Sequence, residues 1–236
     1  MAGEKSRWQS GFTLIEILIA TTISMVVIGG MFYLYTSHLK TRTVQNSMLD
    51  MQQNLRAAMY LMGRDIRMAG YQGDVTGASI AGITVANATA FSFTYLAETD
   101  GDNNDDDDDT DEYDELSTIG YALYDADFDA LNEEIGRTQD SETGLVAEAI
   151  EGIDFLYVLN DDTKTRVPTP SDLQLIKAVQ VTILAKSSRP DNSFESTRLY
   201  DCDEASDSTK TVWGPFNDAY HRKLLTGTFL LRNMGI

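Results

Sequence analysis

Glu16 is the single charged residue in FTLIEILIATTISMVVIGGMFYLY, residues 12–35. A carboxylate deep in hydrocarbon costs about 2.5–3.5 kcal/mol on insertion scales, so such a group needs a partner and has a task. No Lys or Arg within reach on the same helix supplies that partner. It is therefore expected from another chain, and the chemistry is ion pairing. A second constellation is acidic. Asp100, Asp102, Asn104, Asp106 and Asp108 place oxygens at alternate positions, and Asp111 stands twelfth, as in a calcium loop of EF-hand spacing. Two features depart from that pattern: Asp105 holds the sixth place, where glycine makes the turn, and Asp111 is shorter than the usual bidentate Glu. Other frames through the run fit as well. The competing reading is a solvated, self-repelling loop between two strands.

The remaining reactive side chains point away from catalysis. His38 and His221 are the only histidines, too few and too isolated for a His-based metal triad or a Ser/His/Asp constellation. His38 is read as a solvated helix residue, and His221 as part of a strand edge or a partner contact. Cys202 lies in the polar stretch Asp201-Cys202-Asp203-Glu204 and is read as an exposed or semi-buried free thiol. One cysteine makes no internal disulfide and no Cys-rich zinc site. No nucleophile elbow, phosphate loop or HExxH is present. The chain reads as non-enzymatic, with no required cofactor and calcium as the one candidate.

Charge excludes another class. The 236 residues carry 18 Lys+Arg against 37 Asp+Glu, a formal net charge of −19. Clustered basic side chains, which phosphate contacts need, are missing, so nucleic acid is not an expected partner. The acidity is local: 18 acids fall between the consecutive bases Arg67 and Arg137, eleven of them within residues 100–115. Without that stretch, 26 acids face 18 bases, a net of −8.

These residues need elements to position them. As a helix, residues 12–35 span about 36 Å, enough to cross a bilayer. They exceed the apolar core of a secretory signal and lack a clear A-x-A site after it. A plain anchor is the competing reading. Flanking charge does not set orientation, because Lys5 and Arg7 face Lys40 and Arg42. Residues 36–69 continue the helix with an apolar stripe at Val44, Met48, Met51, Leu55, Ala58, Met62 and Ala69, which predicts packing on a head. A coiled-coil stalk is the alternative. Gly70-Tyr71-Gln72-Gly73 is the expected stop, and Gly29-Gly30 a candidate weak point. Beyond it, alternation predicts strands around Phe91, Phe93 and Tyr95, around Ile119, Tyr121 and Leu123, and over 153–159, 176–184 and 224–231. A long helix followed by strands is α+β, with an antiparallel sheet.

The string Gly11-Phe12-Thr13-Leu14-Ile15-Glu16, after a short basic leader and before the apolar run, resembles the processing site of type IV prepilins and pseudopilins. The resemblance implies that a membrane prepilin peptidase cuts between Gly11 and Phe12 and N-methylates Phe12, leaving 225 residues of formal charge −20. It implies that Glu16 pairs with the free amine of a neighbouring subunit, the cation that cleavage creates. Further segments are similar to the PilW minor pilins, themselves similar to the J-type pseudopilins of type II secretion. These are Asn54-Leu55-Arg56, Arg64 to Tyr71, Ala147 to Phe155, Tyr220 to Lys223 and Leu231 to Met234. The implied organisation is a leader at 1–11, a transmembrane or filament-core helix at 12–35, an amphipathic helix at 36–69, and a pilin-like β-rich periplasmic head at 70–236 with an acidic insertion at 98–115. The implied function is a minor pilin that helps initiate or cap a type IV pilus. It starts as a single-pass inner-membrane protein and ends in the filament at the cell surface. Its expected partners are other minor pilins, the major pilin and, at the tip, an adhesin. A secretion pseudopilin and a calcium-dependent tip adhesion module are the alternatives.

Overall fold

The computed structural model describes residues 11–72, 82–97, 115–127, 131, 133–202 and 211–234. One helix, α1, runs from Leu14 to Ile66. The chain divides into two compact units, one ending at Asn46 and one beginning at Ser47. The first unit is the N-terminal part of α1, which passes through Gly29 and Gly30 without interruption.

In the second unit α1 buries Met51, Leu55, Ala58 and Met62, the stripe read from the sequence. Met59, Gly63, Asp65 and Ile66 are buried too, so the stripe widens toward its end. Successive turns at Met68 to Tyr71 follow the helix, and Gly70, at φ +76°, supplies the left-handed residue that ends it. Gly63 is not a weak point. An added Cβ there would lie 2.2 Å from Cε1 of Phe229, so the missing side chain is a notch for that ring.

The strands form two main antiparallel sheets, where the sequence predicted one. The first has the order β1 (Ile83–Ala86), β2 (Ala90–Ala97), β3 (Glu115–Tyr124), β4 (Glu134–Gln139) and β5 (Glu142–Ala147). The second has the order β11 (Arg222–Leu230), β8 (Ile176–Lys186), β6 (Ile150–Leu159) and β7 (Lys164–Thr165). A short pair, β9 (Tyr200–Asp201) with β10 (Val212–Trp213), makes the third. In β6 and β8 the partners Ile153–Ile183, Phe155–Val181 and Tyr157–Val179 face one another, all buried. Such cross-strand apolar pairs are the stabilising unit of a sheet. Phe91 of β2 lies 5.8 Å from Phe155 and 5.9 Å from Tyr157, ring centre to ring centre, and so joins the two sheets.

The segment just after β9 corrects the reading of Cys202. Cys202 is buried, not exposed. Its carbonyl accepts hydrogen bonds from Gln180 Nε2 and Thr182 Oγ1 of β8, which draws the polar segment onto the sheet. Trp213 lies against Gly152, where a Cβ would meet the indole at 2.5 Å. The β9–β10 pair is thus packed on β6 and β8.

Candidate assembly interface

The first turn of α1 is closed by its own side chains. Thr13 stands just before the helix, and the backbone N–H of Glu16 donates to Thr13 Oγ1 at 3.3 Å. In return the backbone N–H of Thr13 donates to Glu16 Oε2 at 3.3 Å, and the Thr13 hydroxyl lies 3.5 Å from the same oxygen. This reciprocal arrangement is a capping box, and it satisfies two N–H groups that a helix start leaves free. The carboxylate also sits at the positive end of the helix dipole. So Glu16 has intrachain contacts, where the sequence reading looked for its partner on another chain only. The signal was present as Thr-x-x-Glu before an apolar run, a capping signature that was passed over.

The cap fixes where the helix begins, and so where Gly11 and Phe12 lie. Both precede it, in exposed, non-helical chain. The Gly11–Phe12 peptide is therefore open to solvent. From there to Tyr35 every residue is exposed, including Phe12 at 84% and Phe32 at 68%. The Thr and Ser hydroxyls of this stretch are satisfied internally. Thr21 and Thr22 donate to the Leu18 carbonyl at 3.0 and 2.8 Å, and Ser24 donates to Ala20 at 2.8 Å. The helix therefore presents a continuous apolar surface with one carboxylate at its head, suited to lipid or to like helices.

In the second unit the buried charged side chains serve structure. Asp65, 3% exposed, accepts from Arg137 Nε at 2.6 Å and from the Tyr121 hydroxyl at 2.7 Å. Burial, and then the bond to Asp65, push the Tyr121 phenol above its usual range. Arg222 is held by Glu151 and Asp218 and lies 3.8 Å above the Phe216 ring. Burial opposes its charge, but the Asp218 and Glu151 carboxylates outweigh that and raise its pKa. Asp154 and Arg166 form a buried pair at 2.9 Å, and Thr211 Oγ1 also donates to Asp154. None of these three clusters was foreseen. His221 precedes β11, stacks on Phe194 with ring centres 4.0 Å apart, and meets Asp191 at 3.1 Å through Nε2. It clamps two loops together. His38 is exposed on α1.

The calcium reading of Asp100, Asp102, Asn104, Asp106, Asp108 and Asp111 falls outside the described residues. Among those described, one other acidic group is close enough to share a cation: Asp125, Asp127 and Glu134, with carboxylate oxygens within 4.8 Å of one another. Glu134 already accepts from the Ala126 N–H at 3.1 Å.

Comparison with known proteins adds two family matches. Residues 9–32 match the prokaryotic N-terminal methylation motif. Residues 120–233 match the type IV pilus-assembly protein W family. Among solved structures, a type IV-like pilin from Thermus thermophilus is similar at 14% identity, covering 78% of this chain and 98% of its own, with a TM-score of 0.48. Comparison with curated proteins returned no match.

Proposed function

We propose that this chain, which is similar to the type IV pilus-assembly protein W family over residues 120–233 and matches the N-terminal methylation motif over residues 9–32, serves as a minor pilin that helps initiate or cap pilus assembly. The observation that carries the reading is the join at Gly11–Phe12: exposed, non-helical chain directly ahead of a capped helix whose apolar surface is uncovered. Prepilin peptidase cleaves there and methylates Phe12. Before that the protein is a single-pass inner-membrane protein with a periplasmic head. The exposed apolar helix then moves from lipid into a bundle of like helices, an exchange that keeps the apolar surface out of water. Glu16 supplies the one directional contact, an ion pair with the new amine of a neighbour. The second unit supplies lateral contacts to other minor pilins, the major pilin and a tip adhesin. The role is structural, without catalysis.

Mass spectrometry of the native N-terminus tests this, on sheared filaments and on membranes separately. A peptide beginning at N-methylated Phe12 in the sheared fraction is expected. The same peptide confined to the envelope would move the protein to a secretion pseudopilus. An unprocessed Met1 or Ala2 terminus in both fractions would reduce it to a plain membrane-anchored β domain.

A further inference from the structure

The β5 strand ends the five-stranded sheet, and its outer edge is open among the described residues. Its turn shows which groups lie on that edge. Gln139 faces Glu142 across a two-residue loop in which Asp140 has φ 50° and Ser141 φ 89°, the backbone of a type I′ hairpin. The pair closing such a loop exchanges both backbone hydrogen bonds, and the next pair exchanges none. Thr138–Thr143 and Gly136–Leu145 are therefore pairs without ladder bonds to each other, so Thr143 and Leu145 aim their N–H and C=O groups outward. The 3.0 Å contact between the hydroxyls of Thr138 and Thr143 fits the closer approach of such a pair.

Edges of this kind are usually blunted by proline, an inward charge or a cover. This one carries none of these at Thr143 or Leu145. Instead Leu145, 49% exposed, lines three adjoining grooves. The charges around it are unbalanced. Of the two bases on the groove walls, Arg137 is held by Asp65 and Lys186 by Glu133. Asp50, Glu142 and Glu148 have no ion pair among the described residues.

We infer that the β5 edge accepts an extended segment of a different chain as a sixth strand, with an apolar side chain against Leu145 and Lys or Arg toward Asp50, Glu142 and Glu148. The outward N–H and C=O groups give the register, as in other cases of strand addition. The carboxylates choose the partner. They attract a basic strand and repel β5 of a second copy, which brings the same charges. This surface belongs to the unit beginning at Ser47 and does not depend on processing at Gly11–Phe12.

The test uses the full chain in detergent and two short probe peptides, one alternating lysine and valine, the other glutamate and valine. Amide hydrogen exchange at residues 142–147 is the readout. The lysine peptide is expected to slow exchange at Thr143 and Leu145, and the glutamate peptide to leave it unchanged. Thr143→Pro removes an outward N–H and spares the ladder to β4, so it should weaken the lysine peptide about tenfold. Glu142→Lys with Glu148→Lys keeps the backbone intact and should reverse the peptide preference. No protection by either peptide, equal protection by both, or a preference unmoved by the charge reversal overturns the inference. So does protection that rises with protein concentration alone, which would identify a second copy as the occupant.

Discussion

Glu16 caps its own helix, and in the proposed assembly it is also the anion that pairs with a neighbour's amine. Substitutions separate the two roles. Glu16→Ala removes both and is expected to reduce incorporation into filaments, read by immunoblot of the sheared fraction. Glu16→Gln keeps an acceptor for the Thr13 N–H and loses the charge. If pairing with the amine drives assembly, Gln fails as Ala does; normal incorporation of Gln would assign the residue to capping. Asp191 offers a pH test in the second unit. Hydrogen bonds from the Ser193 side chain and backbone, and then the contact with His221, lower its pKa from 3.8 to about 2. A carboxyl held low stabilises the fold above its ordinary value, and the effect fades as pH falls through about 2. Asp191→Asn should therefore lower the thermal midpoint at neutral pH and match the parent near pH 2. A constant difference across that range would mean that the charge is not what holds the loop. The buried pair responds differently. Arg166→Met leaves Asp154 buried and uncompensated, a loss of about 3–5 kcal/mol, to be read by denaturant unfolding.

Among the elements, α1 and the five strands with alternating apolar residues could be read ahead of the structure, because burial on one face writes its period into the chain. Phe91 and Phe93 marked β2, and Ile153, Phe155 and Tyr157 marked β6. β4 and β5 escaped notice for a physical reason. EIGRTQ and ETGLVA hold few apolar residues, and their turn puts Asp140 and Ser141, not glycine, in the left-handed region. The salt-bridge clusters escaped because Asp65 and Arg137, or Glu151 and Arg222, meet only after the sheets form. Gly63 is the opposite case, a glycine plain in the sequence whose meaning comes only from the distant Phe229 ring. Helix propensity favours alanine there by about 1 kcal/mol. The Phe229 ring opposes it, since overpacking costs about 1–3 kcal/mol. Gly63→Ala should thus destabilise by up to about 2 kcal/mol in equilibrium unfolding. A stabilised variant would show that the ring moves aside freely.

For the molecule as a whole, the chain divides at Asn46 and Ser47 into two compact units. Residues 12–35 expose apolar side chains throughout, whereas the buried core, from Met51 to Leu231, lies wholly in the second unit. A fragment of residues 47–236 is therefore expected to be soluble without detergent and to unfold in one cooperative transition by circular dichroism. Aggregation, or loss of that transition, would show that the N-terminal part of α1 supports the head. With 35 acids against 14 bases, the fragment's formal net charge of −21 helps it stay dispersed.

The notch at Gly63 has a consequence in time. The ring that fills it belongs to β11, the last strand, and the notch lies in α1, the first element. On a ribosome the helix emerges long before Phe229 does. The C-terminal part of the helix still waits for its packing partner when its N-terminal part is complete. Contacts so distant in sequence form late and slowly. With the proposed membrane insertion of residues 12–35, insertion precedes closure of the core, and each newly made chain spends the interval with its head open.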